Sequence, residues 1–268
     1  MHHELERAFD LTGRVAVITG AAGGIGRQAA ITFAQAGAHL VLADRDLTGI
    51  EHTASRAADA RPGIESLGVA LDAASKDSLD NLAASAVERF GRIDIWANVA
   101  GVLQRGLIID TTTEQFDAVM DVNLGGVFWG SAAAARVMRD GPGGSIINIS
   151  SSAADVAAPD LAVYGASKAA VMYVTKTLAA EVGQWKIRAN AIAPGFIETG
   201  MTAHSWTADG RIDAAKREEV LASRAGQSVL GITGQPTDIS YCMLYLASDA
   251  SRFMTGQVLR PEGGVVMV

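Results

Sequence analysis

Short β-branched runs alternate along this chain with longer Ala-rich stretches, and few folds accommodate that rhythm. The strands read from it are 14–19, 38–43, 65–71, 93–97, 145–149, 187–192 and 257–260. Between them lie helical stretches at 24–36, 47–60, 76–90, 113–139, 163–182 and 236–246, each ended or preceded by Gly, Pro, Asp or Ser. The expectation is an α/β architecture, one open parallel sheet of seven strands covered by helices. No linker, repeat or low-complexity tract divides the 268 residues, so 1–268 is read as one domain with 10–194 and 236–268 as its core. The stretch 195–235 holds a single clear helical segment, 213–225, and an excursion of that length inside such a domain is usually a lid or binding loop.

The first strand runs into Thr19-Gly20-Ala21-Ala22-Gly23-Gly24-Ile25-Gly26, and a helix follows. Glycines there allow a tight turn, let the backbone approach a pyrophosphate, and set the diphosphate over the positive end of the helix. A plain strand-to-helix turn is the bland alternative, and the context weighs against it: the second strand ends on an acidic residue, Asp44. A carboxylate there accepts hydrogen bonds from the adenosine ribose hydroxyls of NAD and repels the 2′-phosphate of NADP. Like charges ~4 Å apart cost roughly 1 to 4 kcal/mol, so a preference for NAD of about one to three powers of ten is expected. A helix N-cap is the structural alternative for Asp44. Arg45 is read as solvent-exposed or stacked near the adenine edge, with a swing toward a phosphate as the competing possibility.

Tyr164 and Lys168 stand four apart in Tyr-Gly-Ala-Ser-Lys, which places them one above the other on a helix face. A cation within ~4–6 Å favours a phenolate, so the pair can act as an acid/base on an alcohol or a carbonyl. By itself the spacing is weakly specific, because an exposed Tyr/Lys pair on a helix arises readily by chance.

Composition excludes other classes. A formal net charge of -7 and a pI of about 5.2 speak against a nucleic-acid surface. The single cysteine, Cys242, excludes an intramolecular disulfide and is read as core, and no Cys/His spacing suggests a metal. Residues 1–10 are polar, with no apolar signal segment, and His2 and His3 are read as part of a loose tail. Without a long uncharged apolar stretch, no membrane span is expected, and a cytoplasmic location fits.

With these residues in hand, the chain closely resembles the short-chain dehydrogenase/reductase family in its single-domain branch, from Gly13 to Gly264. The motifs match in order: the 19–26 loop, Asp72 after the third strand, Asn98-Val99-Ala100-Gly101, Asn123, Ser151, Tyr164 with Lys168, then Pro194-Gly195 and Thr199. The resemblance implies a Rossmann-type doubly wound sheet with helices on both faces. It implies a cofactor site of Gly20, Gly23, Gly24, Ile25, Gly26, Asp44, Arg45, Asp72, Asn98, Ala100, Gly101, Pro194, Gly195, Ile197 and Thr199, joined by Tyr164 and Lys168. Tyr164 would be the general acid/base, and Lys168 would lower its pKa and hold the nicotinamide ribose. Ser151 would hold the substrate oxygen, and Asn123 would keep a water against Lys168. The family spacing of thirteen residues before the Tyr selects Ser151 over Ser150 and Ser152. Val99 departs from the family's second Asn, and Gly23 stands where many NADP-using relatives carry Arg, which agrees with Asp44.

Residues read as bordering the substrate pocket are Val102, Leu103, Ser151, Ala153, Asp155, Phe196, Met201, His204 and Trp206. This mostly apolar set suits a hydrophobic secondary alcohol or ketone, although Met201 and Trp206 could equally seal the loop. The alternative activity is that of a 3-oxoacyl-carrier-protein reductase, which uses NADPH and a basic patch. Here Trp185 replaces one basic residue of that patch and Arg139 lies near the other. A non-enzymatic NAD-binding sensor or scaffold is the remaining reading, and the intact Asn123, Ser151, Tyr164 and Lys168 argue against it. The resemblance also implies a homotetramer, or a homodimer, built on small residues at 131–135, on the Tyr164 helix, and on the apolar end 263–268.

Overall fold

The computed structural model describes residues 2–208 and 210–267 of the chain. It opens with α1 (His2–Phe9), where the sequence suggested a loose tail. Two features order it: Glu4 lies in its first turn and Arg7 in its last, matching the helix dipole, and it packs against the turn 249–251. Leu11, fully buried, and the Arg14–Asp249 ion pair at 2.8 Å fix the chain just beyond it.

Strand and helix then alternate. β1 (Val15–Thr19) leads into α2 (Gly24–Gln35), and β2 (His39–Asp44) into α3 (Leu47–Ala60). β3 (Ser66–Ala70), α4 (Lys76–Phe90), β4 (Ile95–Asn98), α5 (Thr113–Met120) and α6 (Gly126–Arg139) follow, then β5 (Gly144–Ile149), α7 (Ala162–Val182) and β6 (Ile187–Ile192). After β6 come α8 (Gly200–Ala203), a hairpin of β7 (Thr207–Ala208) and β8 (Arg211–Ile212), α9 (Ala214–Gln227), α10 (Pro236–Ala247) and β9 (Val258–Leu259). The seven strands of the main sheet run in the order β3-β2-β1-β4-β5-β6-β9, with every pairing parallel. β1 and β4 are neighbours while the chain winds away from them in both directions, so the carboxyl ends of these two strands open a crevice.

Side chains alternate across the pleat, giving the sheet two separately packed faces. Ile95 and Ala97 pack with Phe33, Ile50 and Met243 from α2, α3 and α10. Trp96 between them packs with Leu82, Ala134 and Met138 from α4 and α6 on the opposite face. Helices therefore cover both faces, as the alternation predicts.

The stretch 113–139 is not one helix. A five-residue π turn, Asp121–Gly125, separates α5 from α6 and turns Asn123 fully inward. Close approach helps to explain the offset, since a Cβ on Gly126 would lie 2.7 Å from the Ala73 carbonyl. The last strand is shorter than the sequence suggests, bounded by Gly256 at positive φ and by Pro261. Within 195–235, α8 and the hairpin add to the anticipated helix, which Asp213 caps through the Lys216 N–H.

Candidate active site

The crevice between β1 and β4 opens into a cleft of about 790 Å³. Its floor is Gly20, Gly23, Gly24, Ile25 and Gly26, with Val99, Ala100, Gly101 and Val102 opposite; Asp44, Arg45 and Asp72 stand at one end. Val122 and Thr199, Gly200 and Met201 complete the wall.

Two glycines in the turn are dictated by contact. A Cβ on Gly26 would lie 2.1 Å from the Gly20 carbonyl oxygen, and Gly20, at φ +70, would drive a Cβ to 2.8 Å from Ala100 N. Thr19 ties the two lips together, its Oγ1 accepting from the N–H groups of Val99 and Ala100 at 3.1 Å each. No atom lies within 4 Å of the position a Gly23 Cβ would take. Close backbone approach and a helix N-terminus make the cleft fit a nicotinamide cofactor.

Asp44 is not a helix cap. Its Oδ2 accepts from Ala22 N and its Oδ1 from Asp46 N, both at 3.1 Å, while Asp46 caps α3 through Gly49 N at 2.9 Å. Each Asp44 oxygen keeps acceptor capacity toward the cleft. Arg45 is exposed. Asp72 accepts from Ala74 N at 3.0 Å, holding the loop after β3.

Asn98 faces elsewhere. It shares the pleat face of Trp96, so its amide is buried against α6 and β5, donating to Asn148 Oδ1 at 2.8 Å and Ser131 Oγ at 3.0 Å. Its oxygen accepts from Trp96 Nε1 at 2.7 Å. The residue supports the lip from behind and does not line the cleft, contrary to its place in the inferred cofactor set. Ile197 likewise lies in the core, Pro194 accepts from Ser152 N at 2.9 Å, and Gly195 passes so close to Glu262 that a Cβ would meet its Cα at 2.8 Å.

The four polar residues singled out in the sequence converge from three places: the π turn, the turn after β5, and α7. Asn123, in the π turn, accepts from Val102 N at 2.8 Å and donates to Val102 O at 2.9 Å and Ser167 Oγ at 3.2 Å. It clamps the cleft wall. Gly101 fits between Asn123 and Lys168, where a Cβ would lie 3.3 Å from Asn123 Oδ1 and 3.5 Å from Lys168 Nζ. Lys168 Nζ donates to Ile149 O at 2.9 Å and lies 5.8 Å from the Tyr164 ring centre. Ser151 Oγ accepts from Ala153 N at 3.2 Å and lies close enough to Tyr164 to favour its phenolate. Ser150 is committed elsewhere, its hydroxyl buried and donating to Lys168 O at 2.7 Å, which agrees with the choice of Ser151.

Burial sets the protonation of the pair. It lowers the Lys168 ammonium to about 8 and pushes the Tyr164 phenol up, against a smaller opposite effect of the nearby Ser151. Burial, and not the neighbouring Lys168, dominates the shift at Tyr164. The low-dielectric surroundings disfavour both charged forms.

The inferred substrate set divides. Val102 and Met201 line the cleft, and Leu103 and Ala153 are partly buried nearby. Asp155 is engaged by Arg260 in a two-pronged pair at 2.9 and 3.0 Å. Phe196 and Trp206 pack on one another with ring centres 6.4 Å apart, and Trp206 is buried, so these two seal the excursion onto the body. His204 is exposed, with Nδ1 against the Met201 carbonyl. Ser167, Val122 and Arg260 carry roles that the motifs did not single out, and Thr19, which opens the glycine motif, ties its two lips. Thr19 was legible as the polar residue ending a buried strand. Cys242 is half-buried against the first core face, and burial pushes its thiol up.

A doubly wound sheet with a glycine cradle at its switch point and a buried Tyr/Lys pair beside it defines a nicotinamide-dependent oxidoreductase. A family profile described as Enoyl-(Acyl carrier protein) reductase matches residues 20–266. The 3-oxoacyl-[acyl-carrier-protein] reductase FabG of Thermotoga maritima is 37% identical, over 96% of this chain and 99% of that protein. Among solved structures, a short-chain type dehydrogenase/reductase from Mycobacterium marinum superposes with a TM-score of 0.89 at 32% identity, covering 97% of this chain and 98% of that one. Levodione reductase gives 0.87 at 30% identity, covering 94% and 97%. The chain belongs to the short-chain dehydrogenase/reductase family, whose members bind NAD(P) and act on small molecules. Among the described residues no helix is long and apolar enough to cross a membrane, and no three His, Cys, Asp or Glu are grouped to hold a metal.

Proposed function

We propose that the protein is an NAD(H)-dependent oxidoreductase that interconverts a secondary alcohol and a ketone on a hydrophobic small molecule. The observation that carries this reading is the buried Tyr164, with Lys168 Nζ 5.8 Å from its ring centre, beside a cleft whose far end presents the Asp44 carboxylate. Bound nicotinamide would supply the hydride acceptor for oxidation and the donor for reduction. In oxidation Tyr164 takes the hydroxyl proton while Ser151 holds the substrate oxygen; in reduction Tyr164 returns the proton to the carbonyl oxygen. Lys168 holds the nicotinamide ribose, and its charge favours the phenolate during turnover. Asp44 takes the adenosine ribose hydroxyls, and Arg45 remains in solvent.

The stretch 195–235 acts as the substrate lid of a single domain, with Val102, Leu103, Ala153 and Met201 as the pocket wall. The protein works in the cytoplasm as a homotetramer or homodimer. Ser131, Ala133, Ala134 and Ala135 are already buried in the chain's own core, so they cannot form that interface. The exposed Phe116, Phe128 and Tyr173 on α5, α6 and α7 are the better support for it, with Val265 and Met267 at the carboxyl end; Val268 lies outside the described residues.

The second reading, reduction of a 3-oxoacyl thioester, is favoured by the Thermotoga relative. Against it stand Asp44 and Trp185, which takes the place of one basic residue and lies under Arg139 at 5.9 Å. An NAD-binding sensor would have no use for the buried catalytic cluster. The test is oxidation of secondary alcohols, sterols and 3-hydroxyacyl thioesters with NAD and separately NADP, followed by nicotinamide absorbance. Turnover of hydrophobic alcohols with NAD is expected; activity confined to thioesters with NADP would replace this reading by the second.

A further inference from the structure

Glu198 lies between Ile197 and Thr199, where the chain leaves the cofactor cleft, and its side chain is only 16% exposed. Both oxygens are engaged. Oε1 accepts from Thr233 Oγ1 at 2.8 Å and Gln235 Nε2 at 2.7 Å, and Oε2 accepts from Arg217 Nη2 at 2.8 Å. The backbone closes the same point: Glu198 N donates to Gly234 O and Gly234 N to Phe196 O, each at 3.0 Å. Gly234 packs closely against Ile197, whose Cδ1 would lie 2.3 Å from a Cβ placed there. One carboxylate therefore holds the departure of the 195–235 excursion, its return at 233–235, and α9 through Arg217.

α9 contains no buried residue; besides this ion pair it meets the 204–206 turn and sets Arg224 over the Phe196 ring at 5.3 Å. The next residue, Thr199, sits over the glycine turn, with its Cγ2 3.2 Å from the position of a Gly24 Cβ. Whatever sets the position of Glu198 sets the width of the cleft at Thr199, Gly200 and Met201. Hydrogen bonds to an ionised acceptor are about twice as strong as neutral ones, and burial shields these from screening.

We infer that Glu198 is the latch of the lid, a positioning residue that ties both ends of the excursion and α9 to one point and so holds Thr199, Gly200 and Met201 over the cofactor. This rests on the reading of the cleft as a nicotinamide site. The test combines NADH titration by fluorescence with amide hydrogen exchange on the full chain. Glu198→Ala removes all three side-chain contacts and should weaken NADH about tenfold, with faster exchange over 199–232 and none over 15–44. Glu198→Gln keeps the acceptor for Thr233 and Gln235 but loses the charge facing Arg217. It should leave NADH affinity within about threefold while α9 exchanges faster. Arg217→Ala should match Glu198→Gln, and the two together should add nothing further.

Unchanged exchange over 199–232 with unchanged NADH affinity in Glu198→Ala would overturn the latch. Exchange that rises equally across the sheet would overturn it too, because that marks a general loss of stability. Should Glu198→Ala fail to fold, α9 exchange in Glu198→Gln and Arg217→Ala decides the question. A wild-type protein that binds neither NADH nor NADPH would defeat the nicotinamide reading, and lid exchange would still judge the latch separately.

Discussion

The floor of the cleft and the segment that closes it are held by different forces. The floor is built on β1, every residue of which is buried, and on Gly20 and Gly26, whose replacement would drive atoms to within 3 Å of backbone. The closing segment has a helix with no buried residue, and Ile212, Val229, Leu230 and Ile232 are each 60% or more exposed. Hard contact allows the floor one arrangement, whereas the lid keeps its place through a handful of polar bonds and the Phe196–Trp206 contact. The reading that follows is that cofactor choice resides in the rigid part and substrate choice in the adjustable one.

The largest expected effect tests the rigid part. Tyr164→Phe should lower turnover by about 10² to 10⁴-fold while NADH affinity stays within a few fold, measured by steady-state rates and fluorescence titration. Retained turnover would remove Tyr164 from the acid/base role. Next in size, Asp44→Ala should narrow the ratio of kcat/KM with NAD to that with NADP by about 10 to 10³-fold. An unchanged ratio would mean that another contact, Arg45 foremost, sets the preference. A glycine pair then compares the two regions directly. Gly26→Ala should cost about 1–3 kcal/mol of unfolding free energy in urea, since its Cβ meets the Gly20 carbonyl. Gly200→Ala, at the start of α8 with no atom within 4 Å of its Cβ position, should change stability by less than about 0.5 kcal/mol. Equal costs at the two sites would undo the contrast.

The same contrast governs what the sequence discloses. The sheet was legible because buried parallel strands are short β-branched runs and their crossovers are amphipathic helices, so the pattern and the fold have one cause. Glycine spacing revealed the cradle because each contact there lies within a few residues of Gly20 or at its partner lip. Asn98 was misplaced for a reason available in the sequence: strand alternation puts it on the face of Trp96, away from the cleft. The Asp155–Arg260 pair joins residues 105 positions apart, and no local pattern reports such a partner. The π turn at Asn123 depends on a loop contact to Val102, and the hairpin of β7 and β8 has strands of two residues, too short for any periodicity. α1 is ordered by docking against 249–251, a tertiary cause that a polar N-terminal stretch conceals.

The smallest effect is a slope in stability against pH, and it sharpens the comparison because it should belong to the rigid part alone. Lys168 ionises near pH 8 in the folded protein and near 10.5 when unfolded. Between those values the unfolded chain binds more protons, so stability gained from this group rises with pH, by at most about 1.4 kcal/mol per unit. Below pH 8 both states are protonated and the slope vanishes. Tyr164 acts in the opposite sense above its ordinary value of 10.0: its folded pKa is raised, the folded state then holds the extra proton, and stability falls with further alkali. The clean window is therefore pH 8 to 9, because above 9.0 the raised Cys242 thiol adds a falling contribution of its own. Urea unfolding of the cofactor-free protein across that window should show the rise, Lys168→Met should flatten it, and Arg217→Ala in the lid should leave it intact. A slope that survives Lys168→Met would assign it to another group and leave the buried ammonium without measurable consequence for folding.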